Sequence, residues 1–139
     1  MKQTQKTLEV PTRGKGFVEI TDTISSWVKG QDIEQGLLTV FIRHTSASLV
    51  IQENADPTVL DDFESFFSRI APEGSSGYRH AAEGPDDMPA HIRSALTQTQ
   101  VGIPVTNGRL CLGTWQGIFV CEHRSRPHAR KILLHLIGE

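Results

Sequence analysis

Six histidines lie within 139 residues, and four of them stand beside polar or turn residues: His44, His80, His91 and His123. His80, His91 and His123 come from a loop, a helix start and a strand end by pattern. Ligands drawn from separate elements are what a catalytic metal site uses, with one position left open for substrate. Their spacing alone is not diagnostic, because no H-E-x-x-H and no paired C-x-x-C accompanies them. Glu83-Gly84-Pro85-Asp86-Asp87 places three carboxylates within five residues. Hard cations such as magnesium take carboxylate oxygens together with substrate phosphate. Asp87 is also placed to cap the helix that follows, and Asp86 to favour its dipole. Asp61 and Asp62 fall in the first turn of an earlier helix, where the dipole accounts for them.

His44-Thr45-Ser46-Ala47-Ser48 ends an apolar run. On a strand, His44, Ser46 and Ser48 share one face, which sets hydroxyls beside an imidazole. With no G-x-S-x-G elbow, these hydroxyls read first as phosphate or structural contacts and only then as a nucleophile. Gly113-Thr114-Trp115-Gln116-Gly117 joins two strands with glycines on both sides. Such a turn brings backbone N–H groups close to a ligand, or is an ordinary tight turn covered by Trp115. Glu122 shares its face with Ile118 and Val120, and an inward glutamate needs a partner. From Arg124 to Lys131 there are four cations in eight residues, with arginine geometry suited to phosphate. Arg126 and Lys131 read as a solvated basic turn, and His135, inside the last strand, as a satisfied structural residue.

These residues need elements to position them. Lys2–Val10 reads as an edge strand and Phe17–Ile20 as a second. Thr21 or Asp22 opens a short helix that Gly30 ends in a left-handed cap. Leu37–Ile42 and Leu49–Gln52 read as strands. Asp56-Pro57 starts a helix whose Val59, Leu60, Phe63, Phe66, Phe67 and Ile70 make one apolar face. Residues 71–88 form a loop rich in His, Asp, Glu and Tyr, followed by a helix over Pro89–Thr97. The last forty residues read as a meander: Gln100–Thr106, an Asn107-Gly108 hairpin turn, then Arg109–Leu112, Gln116–His123 and Arg130–Ile137. The order predicts one α+β domain over 1–139 with a largely antiparallel sheet and two or three short helices.

The formal net charge is -2 and aromatics are 6%. Neither a nucleic-acid surface nor a base-stacking platform is expected from such a composition. Cys111 and Cys121 match no zinc or redox spacing and read as reduced, partly buried thiols. Met1–Pro11 has no apolar core of a signal peptide, and no apolar stretch is long enough for a bilayer. The expected compartment is the cytoplasm.

In chain order, five segments resemble one family: His44-Thr45-Ser46-Ala47-Ser48-Leu49; Gln52-Glu53-Asn54-Ala55-Asp56-Pro57; Glu83-Gly84-Pro85-Asp86-Asp87-Met88-Pro89-Ala90-His91-Ile92; Gly113-Thr114-Trp115-Gln116-Gly117-Ile118; and Glu122-His123-Arg124. The chain is similar to the YjbQ-like family, described as secondary thiamine-phosphate synthases. The family often has Asn where this chain has Gln52. The resemblance implies a β-sandwich-like core, a homotrimer with sites near its subunit interfaces, and the joining of a thiazole phosphate to a pyrimidine diphosphate with release of pyrophosphate. Under that reading His80, His91 and His123 hold a divalent ion, zinc or magnesium. Asp86, Asp87, His44 and Glu122 serve catalysis. Ser46, Ser48, Thr114, Trp115, Gln116 and Arg124 hold the phosphorylated substrate. The alternatives are a trimeric protein that binds a metal or phosphometabolite without turnover, and a metal-dependent phosphate-ester hydrolase with His44 or Glu122 as base.

Overall fold

A computed structural model describes residues 1–74 and 76–139. Ser75, within the glycine-flanked stretch of the expected loop, lies outside the described residues. Eight strands and three helices follow in the order β1 (Lys2–Pro11), β2 (Gly16–Glu19), α1 (Thr21–Lys29), β3 (Gln35–Ile42), β4 (Ala47–Glu53), α2 (Thr58–Ile70), α3 (Asp87–Leu96), β5 (Gln100–Thr106), β6 (Arg109–Leu110), β7 (Gln116–Glu122) and β8 (Ala129–Gly138). The fold is α+β and mostly sheet, with every strand pair antiparallel.

Five strands form one sheet in the order β1-β8-β3-β5-β6, and three form a second in the order β2-β7-β4. Leu38, Val40, Ile42, Leu134 and Leu136 from the first meet Leu49, Ile118 and Val120 from the second, with Ile24 and Val28 of α1 in the same core. This two-sheet core is the expected sandwich. The expected meander holds only for the β5–β6 hairpin. Asn107 and Gly108 take φ values of 53° and 66° there, as its tight turn demands. β7 then leaves for the second sheet. Its Ile118, Phe119, Val120 and Cys121 are all buried, and a strand apolar on both faces needs cover on both sides. β8 returns to the first sheet between β1 and β3, where Gly36 and Gly138 lie opposite each other. A Cβ on either would run into the neighbouring strand's backbone, so the close approach of β3 and β8 depends on both glycines.

The helix ends depart from expectation in instructive ways. α2 begins at Thr58 with Pro57 at the cap, one residue later than expected, and Asp56 accepts the backbone N–H of Thr58 at 2.9 Å from just outside it. Gly30 sits at φ -82°, in the right-handed region, and α1 closes instead with a tightened turn from the Gly30 N–H to the Trp27 carbonyl at 3.1 Å. α3 begins at Asp87, two residues before the expected Pro89, and neither Asp86 nor Asp87 caps it with a side chain. Their carboxylates are engaged elsewhere. Cys121 is buried and burial pushes its thiol up to about 12, whereas Cys111 is exposed rather than partly buried; neither is in a disulfide.

Candidate functional site

The site forms where the end of β7, the start of α3 and the loop before it converge. Asp87 and His91 are four residues apart on α3, so they share a helical face. The loop folds back to bring His80 over that face. His80 Nε2 lies 2.7 Å and His91 Nε2 3.2 Å from the same oxygen, Oδ2 of Asp87. The three donor atoms lie within 4.8 Å of one another. Side-chain exposure is 49% for His80 and 31% for His91, against 2% for Asp87. The carboxylate is the floor of the site and the imidazoles are its mouth.

His91 Nδ1 donates to the Thr45 carbonyl at 2.9 Å. A neutral imidazole has one N–H, so Nε2 of His91 presents a lone pair to a carboxylate oxygen. That meeting is favourable only with positive charge between the two, either a proton on the ring or a metal ion. Ligands about 2.0–2.1 Å from a tetrahedral centre sit about 3.3 Å apart. The 3.2 Å between His91 and Asp87 matches that spacing, and the 2.7 Å between His80 and Asp87 is that of a hydrogen bond. The tautomer held by a backbone carbonyl is also the usual arrangement of a ligating histidine. Two imidazoles and a carboxylate leave a fourth tetrahedral position open to water or substrate, as catalytic zinc sites do.

Arg124 holds this floor in place. Its Nε donates to Asp86 Oδ2 at 3.0 Å, its Nη1 to Asp87 Oδ1 at 2.7 Å and its Nη2 to the Glu83 carbonyl at 3.0 Å. Burial works to raise the Asp86 carboxyl, but the Ser125 N–H and the Arg124 guanidinium outweigh it and bring it to about 2. Burial is likewise outweighed at Asp87, by the His80 hydrogen bond and the charges of His91 and Arg124, and its pKa falls. Arg124 is therefore a positioning residue whose donors are engaged within the protein, and the phosphate-holding role expected of it is not what its geometry provides.

The structure moves several other expected residues away from this centre. His123 is not beside His80 and His91. It is buried against Phe67, and its Nε2 pairs with Ser48 Oγ at 2.8 Å. Alternation along β7 turns His123 to the face covered by α2, opposite Glu122. Ser48 is 1% exposed and also bonded to Thr97, so it is a structural hydroxyl rather than a substrate contact. β3 ends at Ile42 and β4 begins at Ala47, so His44 and Ser46 lie in a connection and do not share a strand face. Ser46 Oγ accepts from Arg130 Nη2 at 3.1 Å, again inside the protein.

Burial, reinforced by the Arg93 charge, lowers His123 from 6.5 to about 3. The unfolded chain therefore takes up a proton below 6.5 that the folded chain refuses. This stabilising contribution is full above 6.5 and erodes as pH falls toward about 3. The ring carbon and nitrogen resonances of His123 are expected to stay constant from about pH 8 to about pH 5. A titration of His123 in that range, followed by NMR, would contradict this placement.

Glu122 is buried and accepts from Thr12 Oγ1 at 2.6 Å, from Arg130 Nε at 2.9 Å and from the Arg124 N–H at 3.2 Å. It does not orient the His123 ring, and it meets Arg124 only through the backbone. Burial works to raise its carboxyl, but Arg130 and Thr12 outweigh that and hold it below the usual range. A saturated carboxylate of this kind is not a general base. Arg130 is hidden within the basic turn of the sequence, although Arg130, Ile132, Leu134 and Leu136 alternate along β8 and so point inward together.

His44 Nε2 accepts the Lys131 N–H at 2.8 Å. Its remaining proton is thus on Nδ1, so the ring is a donor and not a ready base. Burial, with the Arg130 charge, lowers its pKa and favours this neutral form. Thr114, Trp115 and Gln116 lie at the far end of β7 from Glu122. Seven strand residues at about 3.3 Å each separate the two ends by about 20 Å, so one small substrate does not touch both within a chain. Gln116 closes the turn by accepting the Gly113 N–H at 2.8 Å, and Trp115 is 63% exposed rather than folded over it.

Residues 6–139 match the family model described as UPF0047 protein YjbQ-like. The UPF0047 protein sll1880 of Synechocystis is 54% identical over 138 residues, covering 99% of this chain and 94% of that protein. The UPF0047 protein YjbQ of Escherichia coli O157:H7 is 44% identical over 136 residues, covering 97% of this chain and 98% of that protein. Among solved structures, the conserved hypothetical protein TT1486 of Thermus thermophilus superposes with a TM-score of 0.85 at 36% identity, covering 95% of this chain and 99% of that one.

Proposed function

Since the chain belongs to the YjbQ-like UPF0047 family, we propose that it is a divalent-metal-dependent enzyme for small phosphorylated compounds. The activity that the family resemblance implies is a secondary thiamine-phosphate synthase: the thiazole nitrogen bonds to the pyrimidine methylene carbon as pyrophosphate leaves. The observation that supports this reading is that one ligand atom each from His80, Asp87 and His91 lie within 4.8 Å of one another. Two imidazoles and one carboxylate suit zinc better than magnesium, which prefers oxygen and retained water. A bound divalent ion supplies positive charge for a developing pyrophosphate or acidifies a coordinated water. Asp87 would hold the ion from below and the two imidazoles from the mouth. Arg124 and Asp86 keep Asp87 fixed, and the Thr45 carbonyl keeps His91 in the ligating tautomer.

Homotrimer formation belongs to the same proposal. On the outer face of the larger sheet, Leu37 is 47% exposed, with Ile137 opposite it and Leu133 further along β8. An apolar stripe on the two central strands supports burial against another copy. No helix among the described residues is long and apolar enough to cross a membrane. A hydrolase using His44 or Glu122 as base has less support, because one is a donor and the other is saturated.

The test is metal content of tag-free protein, measured for wild type, His80→Ala, His91→Ala and His123→Ala, with thiamine phosphate formation assayed beside it. About one ion per chain is expected, lost in His80→Ala and His91→Ala and kept in His123→Ala. An ion retained by both of the first two variants would refute the site. Product formation indifferent to chelation would refute the metal's part in the reaction.

A further inference from the structure

Beside the cluster, a cleft of about 540 Å³ opens between the end of β3 and α3. His91 belongs to both: its Nε2 faces Asp87 while its ring lines the cleft. A ligand seated there lies one imidazole width from the cluster. Phe41 and Ala95 supply apolar wall. Arg43, His44, Ser94 and Thr99 supply polar groups from two sides. Arg43 has no carboxylate within 4.0 Å among the described residues. His44 is held with its N–H on Nδ1, because Nε2 accepts from the Lys131 backbone. Ser94 donates its hydroxyl proton to the Ala47 carbonyl at 2.9 Å.

We propose that this cleft is the anion subsite of the enzyme, taking the phosphate of a small ring-bearing phosphate ester on Arg43 and His44 while the ring lies against Phe41 and Ala95. The assignment rests on the metal reading only for where the reacting end points. It replaces Arg124, Ser46, Ser48 and the Thr114–Gln116 turn as the phosphate holders, since those are engaged internally or lie at the other end of β7. A guanidinium free of carboxylates and a neutral N–H donor recognise a phosphate dianion without first breaking internal pairs. The volume lies in the usual range for small-molecule sites.

The test is calorimetric titration of the full chain, stripped of metal, with phenyl phosphate. Arg43→Gln is expected to weaken binding about tenfold or more, and His44→Phe similarly. Arg126→Gln, an exposed cation outside the cleft, is expected to leave affinity unchanged. Arg43 is exposed and its side chain pairs with no carboxylate, so its variant reports on binding even if His44→Phe loses stability. Undiminished binding by Arg43→Gln, or no binding by the wild type, would overturn the subsite. Binding that appears only with zinc and ignores Arg43 would overturn it too, and would leave the metal site standing. Arg43-dependent binding by stripped protein that fails to take up added zinc would uphold the subsite while the metal reading failed.

Discussion

On the proposed metal reading, Asp87→Asn is expected to abolish tight zinc binding and the activity that depends on it. The side chain keeps its shape but loses the charge that balances two imidazoles and a guanidinium. Asp87 Oδ2 faces both His80 and His91, and its Oδ1 accepts from Arg124 at 2.7 Å. Losing a residue that merely orients a ligand costs about 10–100-fold in metal affinity. Losing the ligand itself is expected to cost at least about 100-fold by the same scale. Stability is expected to fall by only about 1–3 kcal/mol, because Asp86 still neutralises Arg124 and one charge-assisted bond is weakened. Titration of zinc into metal-free protein, with urea unfolding of the same samples, separates the two effects. Zinc affinity within a few-fold of wild type in a folded Asp87→Asn protein would show that the ion, if any, is held elsewhere.

Arg130→Met is expected to be among the most destabilising single changes in the chain, by about 3–5 kcal/mol at neutral pH. Glu122 is 2% exposed, and among the described residues Arg130 is the only side-chain guanidinium that pairs with it, beside Thr12. The pH dependence gives this prediction a sign. In the native chain the Glu122 pKa is below 4.5, so its contribution is present above 4.5 and is lost as pH falls through its folded value. In Arg130→Met burial acts without that opposition, so the carboxyl prefers its proton. The stability gap between variant and wild type is then expected to narrow as pH drops below 4.5. Urea midpoints at neutral and acidic pH check it. A gap that stays constant would mean that Glu122 is not the group responsible. Replacing both partners, Glu122→Leu with Arg130→Met, is expected to recover much of the loss, since neither charge is then left alone.

Much of this arrangement follows from local pattern, and the rest from where the chain crosses between layers. Asp56-Pro57 and the apolar spacing through Ile70 define α2. Asn107-Gly108 defines its turn, since only such residues accept positive φ at both positions. The glycines and carboxylates of the loop before α3 mark the site region, and His80, Asp87 and His91 are all among the candidate residues of the sequence. Grouping them is harder. Asp87 reads as a cap because a carboxylate at a helix start has that ordinary use, and only the approach of Arg124 from the end of β7 draws it away. His123 reads as a ligand because strand alternation does not say which face is open; α2 covers the face it points to.

Five motifs in chain order carried the family, while local propensity and periodicity carried the α+β class and most element positions. Tertiary structure alone decided that β7 leaves the hairpin for a second sheet. It decided that Arg130 neutralises Glu122 across the core and that Arg124 locks the two aspartates. It also decided which two histidines of six share one carboxylate. The physical reason is common to all four. A buried charge or a strand apolar on both faces has to find its partner in space, and that partner lies on another element, at a distance along the chain that no local pattern encodes.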